Sequence, residues 1–176
     1  MGSLTLVYIS IVTPWPYSAM VIDDANAAFK VDNSLYTGAI TMPNFKQASL
    51  IEVKTNPNIT ALVLPSLGGD VMTTITIQAN TKLRQVDLGS VQGGPLKLGT
   101  LTLFGATVVD AITQVDGMWR TNESRLILMN LNATGPWSFR GLQNGSYLNI
   151  QAVSWSTIES TNLTTTGSLL VIGCNS

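Results

Sequence analysis

The feature that most constrains this chain of 176 residues is a series of short runs in which apolar and polar residues alternate, each cut off by Gly, Pro or Asn. A period of two puts successive side chains on opposite faces of a β-strand. Val71–Gln78 (VMTTITIQ) is the cleanest run, with Thr74, Thr76 and Gln78 on one face and Ile75 and Ile77 on the other. Comparable runs are Ser49–Lys54, Ile59–Leu64 (closed by Pro65), Leu83–Leu88, Leu96–Phe104, Ala106–Thr113, Arg125–Leu131, Trp137–Arg140, Ser146–Val153 and Ser168–Gly173. Gly99 inside such a run predicts a bulge or a close backbone approach. Turns are signalled at Asn56-Pro57-Asn58, Gly68-Gly69-Asp70, Gly93-Gly94-Pro95 and Asn132–Pro136. Asp116-Gly117 and Asn144-Gly145 are the dipeptides of tight hairpins. About ten short strands with turn signals roughly every 8–12 residues predict an all-β fold, a β-sandwich or jelly roll of antiparallel strands. No repeat of fixed length stands out, which disfavours a solenoid or a propeller.

The first 47 residues read differently. Leu4–Val12 is β-branched and aromatic and predicts a strand. Pro14-Trp15-Pro16-Tyr17 then forces extended geometry. Ile22–Lys30 has acids at its start and Lys30 at its end, which matches the dipole of a short helix. Residues 1–47 are therefore expected to form an extended N-terminal arm, and residues 48–176 the sandwich domain. Leu4, Leu6, Tyr8, Ile9, Ile11, Pro14, Trp15, Pro16 and Tyr17 are the candidate assembly residues of that arm. The strand could add to a neighbour's sheet edge, and Trp15, between two prolines, could insert into a neighbouring subunit.

The side chains of most enzyme chemistry are scarce. The chain has no histidine and one cysteine, Cys174. Zinc and iron–sulfur sites cannot be built from that set, and a serine nucleophile has no imidazole base. Asp23, Asp24 and Asp70 could offer oxygen to calcium, but no calcium-loop spacing surrounds them. Gly68-Gly69 and Gly93-Gly94 lack the residues that make a phosphate-binding loop. A remote carboxylate pair is the one catalytic arrangement that spacing does not test. The reading is a non-enzymatic protein with no metal and no cofactor.

Charged residues are 11% of the chain, nine basic and ten acidic, less than half the usual ~25%. With no basic stripe, a nucleic-acid surface is not expected. A near-neutral surface repels copies of itself weakly, so self-association is expected. The apolar run Leu4–Val12 is too short to span a bilayer, and Met1-Gly2-Ser3 has no basic start of a secretory signal. The chain therefore reads as a cytosolic translation product without a membrane partner. Sequons at Asn58, Asn122, Asn132, Asn144 and Asn162 follow from the richness in Asn, Ser and Thr. Trp119, Trp137 and Trp155 on the C-terminal runs are candidate partner or glycan contacts if they are exposed.

The Met start, the Pro14-Trp15-Pro16 arm, the Thr- and Asn-rich alternating strands and segments such as Leu101–Arg120 (LTLFGATVVDAITQVDGMWR) resemble bacteriophage virion structural proteins. The resemblance implies a capsid cement or decoration protein. Such a protein would form a homo-oligomer, a trimer by preference, and dock on capsid or tail proteins through its N-terminal arm. The alternatives are a tail fibre or spike module that binds a receptor or carbohydrate, and a strand-donating filament subunit on a cell surface. The implied location is the virion, or the extracellular surface for a filament.

Overall fold

The computed structural model describes residues 3–7, 15–69, 71–88, 98–105, 111–115, 125–132, 136–138, 144–154, 157–159 and 165–172. Sixteen strands are formed among the described residues. In chain order they are β1 (Ser3–Val7), β2 (Ile22–Asp23), β3 (Ala28–Asp32), β4 (Gly38–Thr41), β5 (Phe45–Gln47), β6 (Leu50–Lys54), β7 (Ile59–Leu64) and β8 (Thr73–Gln78). They continue as β9 (Gln85–Leu88), β10 (Leu98–Phe104), β11 (Ala111–Val115), β12 (Arg125–Asn132), β13 (Pro136–Ser138), β14 (Asn144–Ser154), β15 (Thr157–Glu159) and β16 (Thr165–Ile172).

Every strand pairing among the described residues is parallel. One sheet stacks eight strands in the order β1-β3-β6-β8-β10-β12-β14-β16, and a second stacks β11-β9-β7-β4. Parallel neighbours cannot be joined by a hairpin, so the chain travels round a coil before it returns to the same sheet. The chain is an all-parallel β-solenoid, not the antiparallel β-sandwich or jelly roll that the alternation predicted. In the register of the long sheet, Leu4, Phe29, Ile51, Ile75, Leu101, Leu126, Leu148 and Leu169 form one column, with successive members 21–26 residues apart. That uneven spacing hid the repeat from a search for fixed length.

The alternation finds its use inside the coil. Phe29, Ile51, Ile75 and Leu101 are buried in one column, and Val31, Val53, Ile77 and Leu103 in the next. Ile40, Leu62 and Val86 stack in the second sheet. These columns form one core cluster, and each buried aliphatic side chain contributes roughly 1.5–3 kcal/mol. The intervening residues face outward and are half-buried by neighbours above and below.

The corner after the long sheet repeats a local geometry. Asn33, Thr55, Ala79 and Gly105 each follow a strand end, with φ of 49°, 56°, 54° and 62°. The left-handed residue swings the chain out of the sheet without a hairpin. The next residue in three of these corners, Ser34, Asn56 and Asn80, is polar and buried.

Two further expectations are corrected. Asn144-Gly145 lies within β14, paired with Thr165 and Thr166, and makes no turn. Ile22–Lys30 is not a helix: β2 and the start of β3 flank a turn in which Ala27 N donates to Asp24 O at 2.9 Å. Phe29 and Val31 alternate with Lys30 there, and the sheet period won over the charge pattern. β3 and β6, on either side of residue 48, are neighbours in the long sheet. The bulge expected at Gly99 is present: the β8–β10 register shifts between Leu98 and Thr100. Asp116-Gly117 lies outside the described residues.

Candidate functional site

The broad surface of the molecule is the outer face of the eight-stranded sheet. One outward column runs Thr5, Lys30, Glu52, Thr76, Thr102. A flanking column runs Ala28, Leu50, Thr74, Thr100, and the other Asp32, Lys54, Gln78, Phe104. In-register parallel pairing places these side chains in rows about 4.8 Å apart. Glu52 sits between two cations: Lys30 Nζ lies 2.9 Å from Glu52 Oε2, and Lys54 Nζ bonds Oε1. The hydrogen bonds from Lys54, then from Lys30, hold the Glu52 carboxyl below its ordinary value of 4.5. The carboxylate is therefore ionised and occupied near neutrality, which is unlike a proton-transfer group poised for catalysis.

A cleft of about 540 Å³ opens at another corner, lined by Asp23, Pro43, Asn44, Lys46, Gln47, Ser66 and Gly69. Three of its polar side chains bond one another. Lys46 Nζ reaches Asp23 Oδ2 at 3.2 Å, and Gln47 Nε2 donates to Asp23 Oδ1 at 2.9 Å. Gly69 has φ of 94°, and a Cβ there would stand 3.1 Å from Gln47 Oε1. Asp24 Oδ1 accepts from Asn26 N at 2.9 Å. Two of the three candidate calcium ligands thus have local hydrogen-bond partners, and Asp70 lies outside the described residues. No group of three or more His, Cys, Asp or Glu gathers among the described residues. None of their helices is long and apolar enough to cross a membrane.

The candidate assembly residues are divided. Leu4 and Leu6 on β1 are half-buried against the core, in register with Phe29 and Val31. Trp15 is only 5% exposed. It meets Tyr17 and Tyr36 edge-on, with ring centroids 5.3 and 5.0 Å away. Tyr17 is half-buried and Pro16 exposed. Burial pushes the Tyr36 phenol above its ordinary value, and the hydroxyl donates to Ala39 O at 2.9 Å. Leu4, Leu6, Trp15 and Tyr17 thus pack in the first coil of their own solenoid, against the coil that follows. Tyr8, Ile9, Ile11 and Pro14 lie outside the described residues, as do Trp119 and Trp155. Trp137 is on β13, in register with Ile158 of β15.

No protein family, curated protein or solved structure matches this chain. The architecture and the side chains therefore carry the functional reading.

Sequence reasoning placed Asn56 in a turn and passed over Asn80, and it missed the buried side-chain ladder that the two form. Asn56 Oδ1 accepts from Ser34 N at 2.8 Å, one coil earlier, and Asn56 N donates to Asn80 Oδ1 at 3.0 Å, one coil later. Asn80 Nδ2 donates to Val53 O at 2.8 Å. The signal was Val31-x-x-Ser34, Val53-x-x-Asn56 and Ile77-x-x-Asn80, an apolar residue followed three positions later by a small polar one.

Proposed function

We propose that the chain is a non-catalytic structural module of a virion fibre or spike, with the outer face of its long sheet as the contact surface. The observation that carries this is the continuous stack of eight parallel strands. At about 4.8 Å per strand the stack forms a stiff ridge on the order of 34 Å long, with Thr74, Thr76, Thr100 and Thr102 in its outward rows. A ridge of this kind suits a load-bearing element or a docking face for another elongated surface. The fibre or spike reading is preferred to a capsid cement docked by an N-terminal arm. Leu4, Leu6, Trp15 and Tyr17 are engaged in the chain's own core, which leaves them less available to a lattice. The engaged carboxylates of Asp23 and Glu52 support the absence of catalysis.

The test exposes purified full chain to intact bacterial cells and, separately, to tail-less capsids. Saturable binding to cells supports the proposal, with loss on Trp137→Ala marking a glycan contact. Binding to capsids with none to cells overturns it in favour of a cement protein. Binding to neither overturns it too, and release of reducing sugar from a surface polysaccharide overturns the non-catalytic part.

A further inference from the structure

The two ends of the long sheet are unusual in their chemistry. β1 pairs only with β3, and β16 only with β14, among the described residues. Each leaves a row of backbone donors and acceptors on its outer edge. Natural edge strands are normally blunted by charge, proline or a bulge, because an open edge recruits another strand. Here β1 reads Ser-Leu-Thr-Leu-Val and β16 reads Thr-Thr-Gly-Ser-Leu-Leu-Val-Ile, with no charge and no proline in either. Neither pairing shows a register shift. The charges lie on strands further in, at Lys30 and Asp32 of β3 and Glu52 and Lys54 of β6. That is the reverse of a sheet protected against its own copies.

We infer that a second copy of this chain occupies each end, with β16 of one molecule pairing in parallel with β1 of the next. The register that continues both columns sets Ser168 beside Ser3, Leu169 beside Leu4, Leu170 beside Thr5, Val171 beside Leu6 and Ile172 beside Val7. Leu4 stands in the column of Phe29, and Leu169 in the column of Leu148. Apolar positions therefore meet apolar positions of the same face, and five residues of parallel pairing continue the coil without a break. The two surfaces differ, so the contact is head-to-tail and does not close on itself. It builds linear stacks rather than a dimer or trimer. The inference is independent of the virion reading, because it needs only the two edges.

Sedimentation velocity of the full chain tests it. The weight-average mass should rise with concentration above the 18.8 kDa of one chain, without a plateau at two or three copies. Thr5→Glu with Leu170→Glu sets like charges opposite each other only across the contact, since Glu at position 5 faces Lys30 within its own chain. This pair should weaken association about tenfold or more, and Thr5→Glu with Leu170→Lys should restore it. Circular dichroism melts of both variants check that they fold. If neither folds, Ser3→Cys with Ser168→Cys in a Cys174→Ser background should oxidise to a ladder of covalent multiples. Strands about 4.8 Å apart lie within disulfide reach. A wild-type chain that stays at one copy, a closed dimer or trimer, association indifferent to the double-Glu pair, or no covalent ladder overturns the inference.

Discussion

Asn56 offers the sharpest test of the solenoid, because its side chain is fully buried and bonds to two other coils. Its Oδ1 accepts from Ser34 N at 2.8 Å, and its Nδ2 lies within hydrogen-bond distance of Lys54 O (2.8 Å), Val31 O (3.1 Å) and Asn80 Oδ1 (3.1 Å). Asn56→Ala deletes these bonds. Lys54 O keeps a second donor, Asn33 N at 3.1 Å, so the carbonyl loss there is partial. Ser34 N–H loses this acceptor, and the loss of a buried hydrogen bond of this kind costs about 1–3 kcal/mol. With the bonds to Ser34 N, Val31 O and Lys54 O lost and a small void left, the expected loss is about 3 kcal/mol. For a urea slope of about 2 kcal/mol/M, the unfolding midpoint should fall by about 1.5 M. Asn56→Asp should cost more, because it points a carboxylate at Val31 O, Lys54 O and Asn80 Oδ1, all acceptors. Asn56→Ala and Asn80→Ala share hydrogen bonds, so the double variant should lose about 1 kcal/mol less than the sum of the singles. Equilibrium urea unfolding of wild type and the four variants by circular dichroism measures all of this. A midpoint for Asn56→Ala within about 0.3 M of wild type, or strict additivity with Asn80→Ala, refutes the cross-coil network.

Three other outcomes follow from single contacts. Glu52 has its pKa lowered, so its ion pairs stabilise the fold above the ordinary value of 4.5 and are lost as pH falls through the lower, folded value. Wild type should lose more stability than Glu52→Gln between pH 6 and strong acid, while the variant costs about 0.5–1 kcal/mol at pH 7; parallel pH curves would contradict this. Thr55 is exposed, β-branched and left-handed, with its N–H bonded to Gln78 O at 2.9 Å. Thr55→Gly relieves about 1–2 kcal/mol of backbone strain against about 0.5–1 kcal/mol of added chain entropy, so a slightly higher melting temperature is expected and a clear drop would count against it. Trp15→Ala should cost about 3–5 kcal/mol. Because Trp15 Nε1 has no hydrogen-bond partner among the described residues, Trp15→Phe should cost about 1 kcal/mol or less, and equal losses would show that packing of the indole is not the contribution.

The sequence located strands far better than it paired them. Ile59–Leu64 coincides with β7, and Val71–Gln78 and Arg125–Leu131 fall on β8 and β12 with small shifts at their ends. Alternation reports which face of a strand is buried, and that was legible in Ile75 and Ile77. It carries no information on whether the neighbour arrives by a hairpin or after a whole coil. Asn144-Gly145 favours a tight turn locally, yet parallel pairing with Thr165 and Thr166 holds it extended. In the first 47 residues, the prolines and the acid-to-base order of Ile22–Lys30 masked the alternation of Phe29 and Val31. Only the stacked columns give Trp15 a place in the chain's own core, because the rings that enclose it come from Tyr17 nearby and from Tyr36 on the next coil.

The low charge content, first read as favouring self-association, has a structural cause in this fold. In a parallel in-register stack each outward residue meets the residue one coil away at about 4.8 Å, and like charges at that distance repel by about 1 kcal/mol even in water. A column of lysines would accumulate that cost at every coil. The described charges obey the constraint by alternating in sign: Lys30 beside Glu52, Asp32 in register with Lys54, and Asp23 beside Lys46. Where a column continues, uncharged Thr76, Thr102 and Gln78 take over. Threonine suits these rows because its β-branch favours the strand and its hydroxyl remains solvated without charge. The same rule leaves β1 and β16 with nothing to repel a further coil, which ties the scarcity of charge along the ridge to the openness of its ends.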